Sequence, residues 1–245
     1  MTGVNYLIPD WPAPGGVRAA FTLRTGGVSV APYDSLNVGT HVGDAPEAVA
    51  ENRARIFQAL KLPSEPAWLE QVHGVDVTHL DHTPLITRAD ASVTHSLKRV
   101  CAIQVADCLP VLFAARDGSA IGAAHAGWRG LASGVLEATL RALAIEPSKL
   151  IAWMGPAIGP EHFEVGAEVR DAFVKSEAKA GKAFVANDRG RWQCDLYALA
   201  RLRLEAIGIG EIAGGGWSTY GDASRFFSYR RDGQCGRMAA LIWRE

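Results

Sequence analysis

Cysteine is scarce in this chain: four residues, at 101, 108, 194 and 235, with no C-x-x-C pair. That spacing excludes a dense disulfide framework and points to a reducing compartment, so a cytoplasmic protein is expected. Long apolar runs are also missing, which leaves no segment able to span a bilayer. Residues 1–14 hold no basic region followed by an apolar core, so no secretory signal is expected. Net charge is nearly absent. The formal value of −1 removes any global electrostatic reason to expect nucleic acid or a membrane surface as partner. Lysine is short, six against nineteen arginines, a bias that suits planar anion recognition but reads mainly as genomic composition.

Several familiar motifs are missing as well. Gly181-Lys182 is followed by alanine, so there is no Walker A loop, and the Gly130 to Gly134 segment places its serine at Ser133, which breaks the G-x-S-x-G elbow. Neither H-E-x-x-H nor the zinc-deaminase signature occurs. Gly208-x-Gly210-x-x-Ala213 matches a loose dinucleotide fingerprint, yet it follows a helical pattern where that motif must follow a strand.

What remains is an ordinary globular composition, 48% apolar and 21% charged over 245 residues, enough for a sizeable core. Strand patterns are expected at Val17 to Leu23, Trp68-Leu69, Val75 to Leu80, Val100 to Val105, Val111 to Ala114, Gly118 to Ala124, Leu150 to Met154 and Met238 to Trp243. A first helix is expected after an Asp44 cap, with Pro46 in its first turn and Glu47 completing a capping box. Further helices are expected over Leu131 to Ala144, Gly166 to Ala180 and, capped by Asp195 and stopped by Gly208, Leu196 to Ile207. Strands and helices mix without regular βαβ alternation, so a single α+β domain is favoured.

The chemistry concentrates in Ala106-Asp107-Cys108-Leu109-Pro110 and Ala124-His125-Ala126-Gly127-Trp128-Arg129-Gly130, joined by an apolar run and an Asp117-Gly118 turn. A hairpin about that turn pairs positions whose numbers add to 235, which sets Cys108 opposite Gly127 and puts His125 on the same face as its diagonal neighbour. Diagonal neighbours lie roughly 7–8 Å apart at the backbone, near enough to share a metal ion or form a thiolate–imidazole pair. The same register turns Asp107 to the opposite face. His73, in Gln71-Val72-His73-Gly74, stands between two strand patterns, where a turn can present its side chain.

Two imidazoles and a thiolate make a three-ligand set for Zn²⁺ with a fourth position left for water. The separations of 35 and 17 residues match no short metal-binding pattern. The same atoms also suit a metal-free thiol hydrolase, with Cys108 as nucleophile and His125 as its base. Cys101 and Cys194 read as structural, and Cys235, in a polar turn, as exposed. Arg24, Asn37, Asn52, Arg129 and Arg230 are the polar residues to inspect. Arg129 precedes a helix and can hold a phosphate or carboxylate with it, and Arg24 sits in a Gly-rich loop.

Arg24-Thr25-Gly26-Gly27-Val28-Ser29, Ser35-Leu36-Asn37-Val38-Gly39, Gln71-Val72-His73-Gly74, Ala106-Asp107-Cys108-Leu109-Pro110, His125-Ala126-Gly127-Trp128-Arg129-Gly130, Gly155-Pro156-Ala157-Ile158-Gly159-Pro160 and Phe227-Ser228-Tyr229-Arg230-Arg231 resemble, in order, the motifs of the YfiH-like laccase-domain family. That family is also called multicopper polyphenol oxidoreductase, purine nucleoside phosphorylase or peptidoglycan editing factor.

The resemblance implies one α+β domain over residues 1–245, mixed β-sheets flanked by helices, similar to the deamidase domain of cytotoxic necrotizing factor toxins. It also implies a metal and catalytic site at His73, Cys108 and His125. The metal would be zinc, with copper as the other candidate. The implied activity is phosphorolysis of adenosine, inosine, guanosine and methylthioadenosine, with adenosine deamination. Substrate contacts are then expected from Arg24, Asn37 and Arg129, and the partners are small molecules: a purine nucleoside with phosphate, or a nucleotide-sugar precursor. A peptidoglycan-editing hydrolase acting on a UDP-MurNAc-serine precursor and a copper-dependent polyphenol oxidase are the alternatives. A multicopper oxidase needs many histidine ligands, and only two of the seven here stand in a cluster. Where many relatives carry cysteine after Gly155 to Pro160, this chain has Glu161 and His162.

Overall fold

The computed structural model describes residues 3–82 and 87–245. Residues 83–86, between the strands expected at Val75 to Leu80 and Val100 to Val105, lie outside the described residues. In chain order the elements begin β1 (Tyr6–Leu7), β2 (Val17–Thr22), α1 (Pro46–Leu60), β3 (Val77–His79), β4 (Ala91–Thr94), β5 (Val100–Val105), β6 (Leu109–Ala115) and β7 (Ile121–Ala126). They continue α2 (Trp128–Ser133), α3 (Val135–Leu143), β8 (Leu150–Met154), β9 (Glu164–Val165), α4 (Ala167–Val174), β10 (Phe184–Ala186), β11 (Trp192–Cys194), α5 (Leu196–Ile207), β12 (Glu211–Gly214), α6 (Tyr229–Asp232) and β13 (Met238–Arg244).

Two sheets carry the architecture. One has the order β1-β2-β13-β5 and is antiparallel throughout; the other, β12-β8-β6-β7-β4-β3, is mixed, with parallel pairing at both edges. A small sheet, β10-β11-β9, lies apart. The apolar runs of β5, β6, β7 and β13 are buried on both faces, as their lack of polar alternation requires. Phe21, Ile103, Leu112, Ile121, Trp153 and Ile242 fill the space between the two main sheets. Val111, Phe113, Ala124 and Met154 point the other way, against Leu131, Leu136, Leu140 and Leu204 of the helices. On the outer face of the first sheet Ala102, Leu241 and Trp243 meet Ile56 of α1. The result is two sheets face to face between two helical layers. Each wholly buried Leu, Ile or Phe contributes about 1.5–3 kcal/mol relative to exposure.

The structure corrects several expectations. The helix expected over Leu131 to Ala144 starts earlier and breaks at Gly134, whose φ of 98° ends α2 and starts α3. The helix expected over Gly166 to Ala180 stops at Val174, and a 3₁₀ turn covers Ala178–Ala183. Ala45, not Asp44, is the N-cap of α1; the Asp44 carboxylate instead accepts bonds from Ser29 Oγ, Asn37 Nδ2 and the Ala45 N–H. Trp68-Leu69 forms no strand; the flanking Ala67 and Glu70 make isolated bridges to Cys101 and Arg88. Cys235 is buried, because Phe227 packs against its loop at Gly236. The Asp195 cap and the Gly208 stop of α5 stand as read, with Asp195 Oδ1 accepting from the Ala198 N–H. Among the described residues no helix is long and apolar enough to cross a membrane.

Candidate metal centre

β6 and β7 pair as Leu109↔Ala126, Pro110↔His125 and Ala114↔Ile121, the register in which partner numbers add to 235. The pairing closes with the Ala115 N–H on Ala120 O, and the turn proper runs through Arg116 to Ser119. Alternation along β7 then gives His125 the same face as Ile121 and Ala123, the face between the two sheets, at the end where the strands stop. Cys108, one residue before β6, extends from the same face.

His73 comes from the turn between Gln71 and Gly74, in a left-handed backbone conformation of φ 62°. Its ring lies edge-on to that of His125, centroids 4.8 Å apart, and its Nε2 is 3.8 Å from Cys108 Sγ. One ligand atom from each of His73, Cys108 and His125 falls within 4.8 Å of the others. His125 is buried, Cys108 is partly buried and His73 is exposed, so the cluster opens on one side.

Asp90, wholly buried at the head of β4, holds this arrangement. It accepts a 2.8 Å bond from His125 Nδ1 and three from backbone N–H groups: Val72 at 3.1 Å, His73 at 2.9 Å and Gly74 at 2.7 Å. One carboxylate thus fixes one imidazole by its ring and the other by its loop. Burial works against its ionisation, but the bonds from His125 and from the Gly74 and Val72 N–H groups keep it below the ordinary carboxylate range. The Nδ1 bond leaves Nε2 of His125 to face Cys108, the orientation a ligating histidine needs.

Burial also opposes ionisation of Cys108, yet the facing His125 charge and the bonds from His125 and His73 prevail and bring the thiol down to about 6. Burial disfavours the His125 imidazolium, and the Cys108 charge with the Asp90 bond reverses that, raising the imidazole. Each group favours the other's charged form. Cys101, by contrast, is pushed up to about 12 by burial in β5 and is inert.

Space for an ion exists because position 127 is glycine. A Cβ there would lie 3.0 Å from Cys108 Sγ, 3.0 Å from His73 Cδ2 and 3.6 Å from His125 Nε2, so it would fill the room between the three donors. Two neutral imidazole nitrogens and a thiolate suit Zn²⁺ or a copper ion, and the open side leaves a further position. Among the described residues this is the one group of three such donors, which is too few for several copper centres.

The three donors line a cavity of about 570 Å³ together with Gln71, Gln104, Trp128, Arg129, Phe163 and Tyr229. Arg129, whose guanidinium lies 4.4 Å from the Trp128 ring centre, is among these lining residues. Arg24 and Asn37 are not. Arg24 donates to Asp34 O and Ala223 O and stacks on Phe227, because its Gly-rich loop folds against the 223–227 segment. Asn37 is buried, bonding Gly39, Asp44 and the Arg237 N–H, and Asn52 bonds Ser29, Ser35 and Asn37. The loop expected to bind substrate is tied by its own polar side chains. Asp107, left-handed at φ 86°, accepts from Thr219 Oγ1 and the Arg230 N–H, which fixes the turn into Cys108. His162 stacks on Tyr220 and joins no donor group.

Asp90 escaped the sequence reading, although a lone carboxylate at the head of the otherwise uncharged Ala91-Ser92-Val93-Thr94 was a usable signal. Gln71 and Gln104 escaped too. Their mutual bonds, side chain of one to backbone of the other, have no sequence signature.

Residues 18–245 match the family described as Multi-copper polyphenol oxidoreductase laccase. A Pseudomonas aeruginosa protein named as a purine nucleoside phosphorylase is 54% identical over 239 residues, covering 97% of this chain and 98% of that one. The Escherichia coli K12 purine nucleoside phosphorylase YfiH is 53% identical over 240 residues, 98% of each chain. A crystal structure of a Neisseria meningitidis protein superposes with a TM-score of 0.93 at 50% identity, covering 98% of this chain and 99% of that one.

Proposed function

The chain belongs to the multi-copper polyphenol oxidoreductase laccase family, and on that footing we propose that it is a cytoplasmic, zinc-dependent purine nucleoside phosphorylase. The observation that carries this reading is the coincidence, in one cavity, of the His73–Cys108–His125 donor group and the exposed Arg129, in a chain whose relatives at 53–54% identity bear that name. A cavity of about 570 Å³ lies within the usual range for small-molecule sites, roughly 300–1,000 Å³.

In this reading His73, Cys108 and His125 hold the ion, and Asp90 keeps both imidazoles turned toward it. The ion, when bound, supplies a Lewis acid at the cavity wall. Arg129 holds phosphate by paired N–H bonds. Phosphorolysis then breaks the bond between ribose C1′ and the base nitrogen and forms a C1′–oxygen bond to phosphate, and the proton of hydrogen phosphate passes to the departing base. Adenosine, inosine, guanosine and methylthioadenosine are the proposed substrates. The open side of the donor cluster, with His73 exposed, also favours a second reading for adenosine, deamination by water.

The deciding measurement combines elemental analysis of the purified protein with turnover assays. The substrates are inosine plus phosphate, adenosine with and without phosphate, a phenol, and a UDP-MurNAc-serine precursor. One equivalent of zinc with phosphate-dependent release of hypoxanthine is expected. Turnover of the precursor alone would move the function to peptidoglycan editing, and phenol oxidation by a copper-loaded form would move it to the oxidase. Nucleoside turnover that survives Cys108→Ala would remove the site assignment.

A further inference from the structure

Three arginines line the cavity beside the donor cluster: Arg129, Arg230 and Arg237. We propose that Arg230 and Arg237 join Arg129 in a subsite for the phosphate group of the ligand; this rests on the reading of the cavity as the reaction site.

Ion pairing is the first observation. None of the three lies within 4.0 Å of a carboxylate among the described residues, and residues 1, 2 and 83–86 include no acidic side chain. The one carboxylate on the cavity wall, Asp107, is engaged by Thr219 Oγ1 at 2.6 Å and by the backbone N–H of Arg230 at 2.7 Å. It therefore anchors Arg230 through the main chain and leaves the guanidinium without a counter-charge. Like charges gathered in one cavity repel unless an anion joins them.

Preorganisation is the second. Arg230 Nη1 donates to Glu164 O at 2.9 Å, and its guanidinium lies 5.3 Å from the Phe163 ring centre. Arg237 Nη1 donates to Cys235 O and Gly236 O, and that guanidinium lies 5.9 Å from the Tyr229 ring. Arg129 makes only its stacking contact with Trp128 among the described residues. Backbone carbonyls and aromatic faces thus steer the guanidiniums of Arg230 and Arg237, while most of the five N–H donors on each stay available. A planar fork with spare donors matches the tetrahedral oxygens of phosphate.

The third observation is the positive charge of Arg237 felt at a neighbouring lining residue. His41, on the same wall, is held below its ordinary value by burial and by the positive charges of Arg237 and Arg53. Position completes the case. Because Asp107 precedes Cys108 and accepts from the Arg230 N–H, Arg230 is tied one residue away from the donor cluster.

The ligand chemistry is a phosphate group, whether free inorganic phosphate or the phosphate of a nucleotide. Isothermal titration of the zinc-loaded protein with inorganic phosphate, inosine and inosine 5′-monophosphate separates the two sources. The variants are Arg230→Ala, Arg237→Ala and the double variant, with Arg116→Ala as a control, its side chain being paired to Glu211 outside the cavity. Each loss of a charged hydrogen-bonding partner is expected to weaken phosphate binding about 10- to 100-fold. The KM for phosphate rises with it while the KM for nucleoside stays within about twofold.

Tighter binding of the monophosphate than of inosine, lost in the double variant, would assign the subsite to a phosphate carried by the substrate. Phosphate affinity unchanged in the double variant overturns the proposal. Arginine-dependent phosphate binding without nucleoside turnover in the wild type would keep the subsite and discard the phosphorylase reading. Should the double variant not fold, Arg230→Lys and Arg237→Lys keep the charge and remove the fork, and unchanged phosphate affinity in both would overturn the proposal equally.

Discussion

Asp90 and His125 are joined twice, by the 2.8 Å bond between the Asp90 carboxylate and His125 Nδ1 and by the backbone N–H of His125 on the backbone carbonyl of Asp90 at 2.7 Å. Strand and side chain are therefore positioned by one residue, which also holds the His73 loop through three N–H groups.

Asp90→Asn keeps the size of the side chain but removes the charge and offers one acceptor oxygen in place of two. Zinc affinity is expected to fall about 10- to 100-fold, the usual effect of losing a partner behind a ligating histidine. Asp90→Ala goes further, removing the acceptor of the Val72, His73 and Gly74 N–H groups and leaving the buried His125 Nδ1 unpaired, at about 1–3 kcal/mol for the last alone. Competition with a chromophoric chelator reads the first effect and urea unfolding the second. Wild-type zinc affinity in both variants would show that Asp90 does not orient the ligands.

Gly127→Ala separates metal binding from folding. Residue 127 has φ of −59°, which alanine accepts without strain, so the objection is local: the new Cβ meets Cys108 Sγ and His73 Cδ2 at 3.0 Å. Overpacking of this kind costs about 1–3 kcal/mol. It should appear as roughly tenfold or greater loss of zinc affinity with the native circular dichroism spectrum retained. A variant that binds zinc like the wild type would mean that the three donors do not close on one ion.

The parts legible in the sequence were those set by local rules. Asp117-Gly118 fixed a register, and the register with strand alternation put Cys108 and His125 on one face; Asp195 and Gly208 bounded α5 in the same way. What escaped depended on partners distant in the chain. Asp90 serves residues sixteen to thirty-five positions away, and Arg24 looked like a ligand contact until Ala223, 199 positions on, took one of its donors. Gly134 broke a helix because its left-handed conformation suits a stop, while the apolar spacing on either side continued. Periodicity reports a buried face; it does not report who meets whom across it.

Arg24→Ala tests the corrected placement of that residue. The side chain bridges two backbone carbonyls and covers the buried Phe227 ring at 4.7 Å, so its loss should lower stability by about 1–3 kcal/mol. The KM for phosphate should not change, because Arg24 is not among the residues lining the cavity. A raised phosphate KM without loss of stability would return Arg24 to the substrate site.

Asp81 gives a pH signature far from the metal centre. Its carboxylate accepts from Thr94 Oγ1 at 2.5 Å and from the N–H groups of His95 and Ser96, tying the end of β4 to the segment after β3. Burial raises the carboxyl, but these bonds outweigh it and bring it down to about 2. The folded protein thus binds this proton more weakly than the unfolded chain, whose value is about 3.9. The stabilisation is complete above the unfolded value and is lost as pH falls from about 4 toward 2. The difference in urea midpoint between wild type and Asp81→Ala should therefore be level from about pH 7 to pH 5 and shrink below about pH 4. A difference that persists unchanged to pH 2 would mean that the protonated carboxyl serves these N–H groups as well as the carboxylate does.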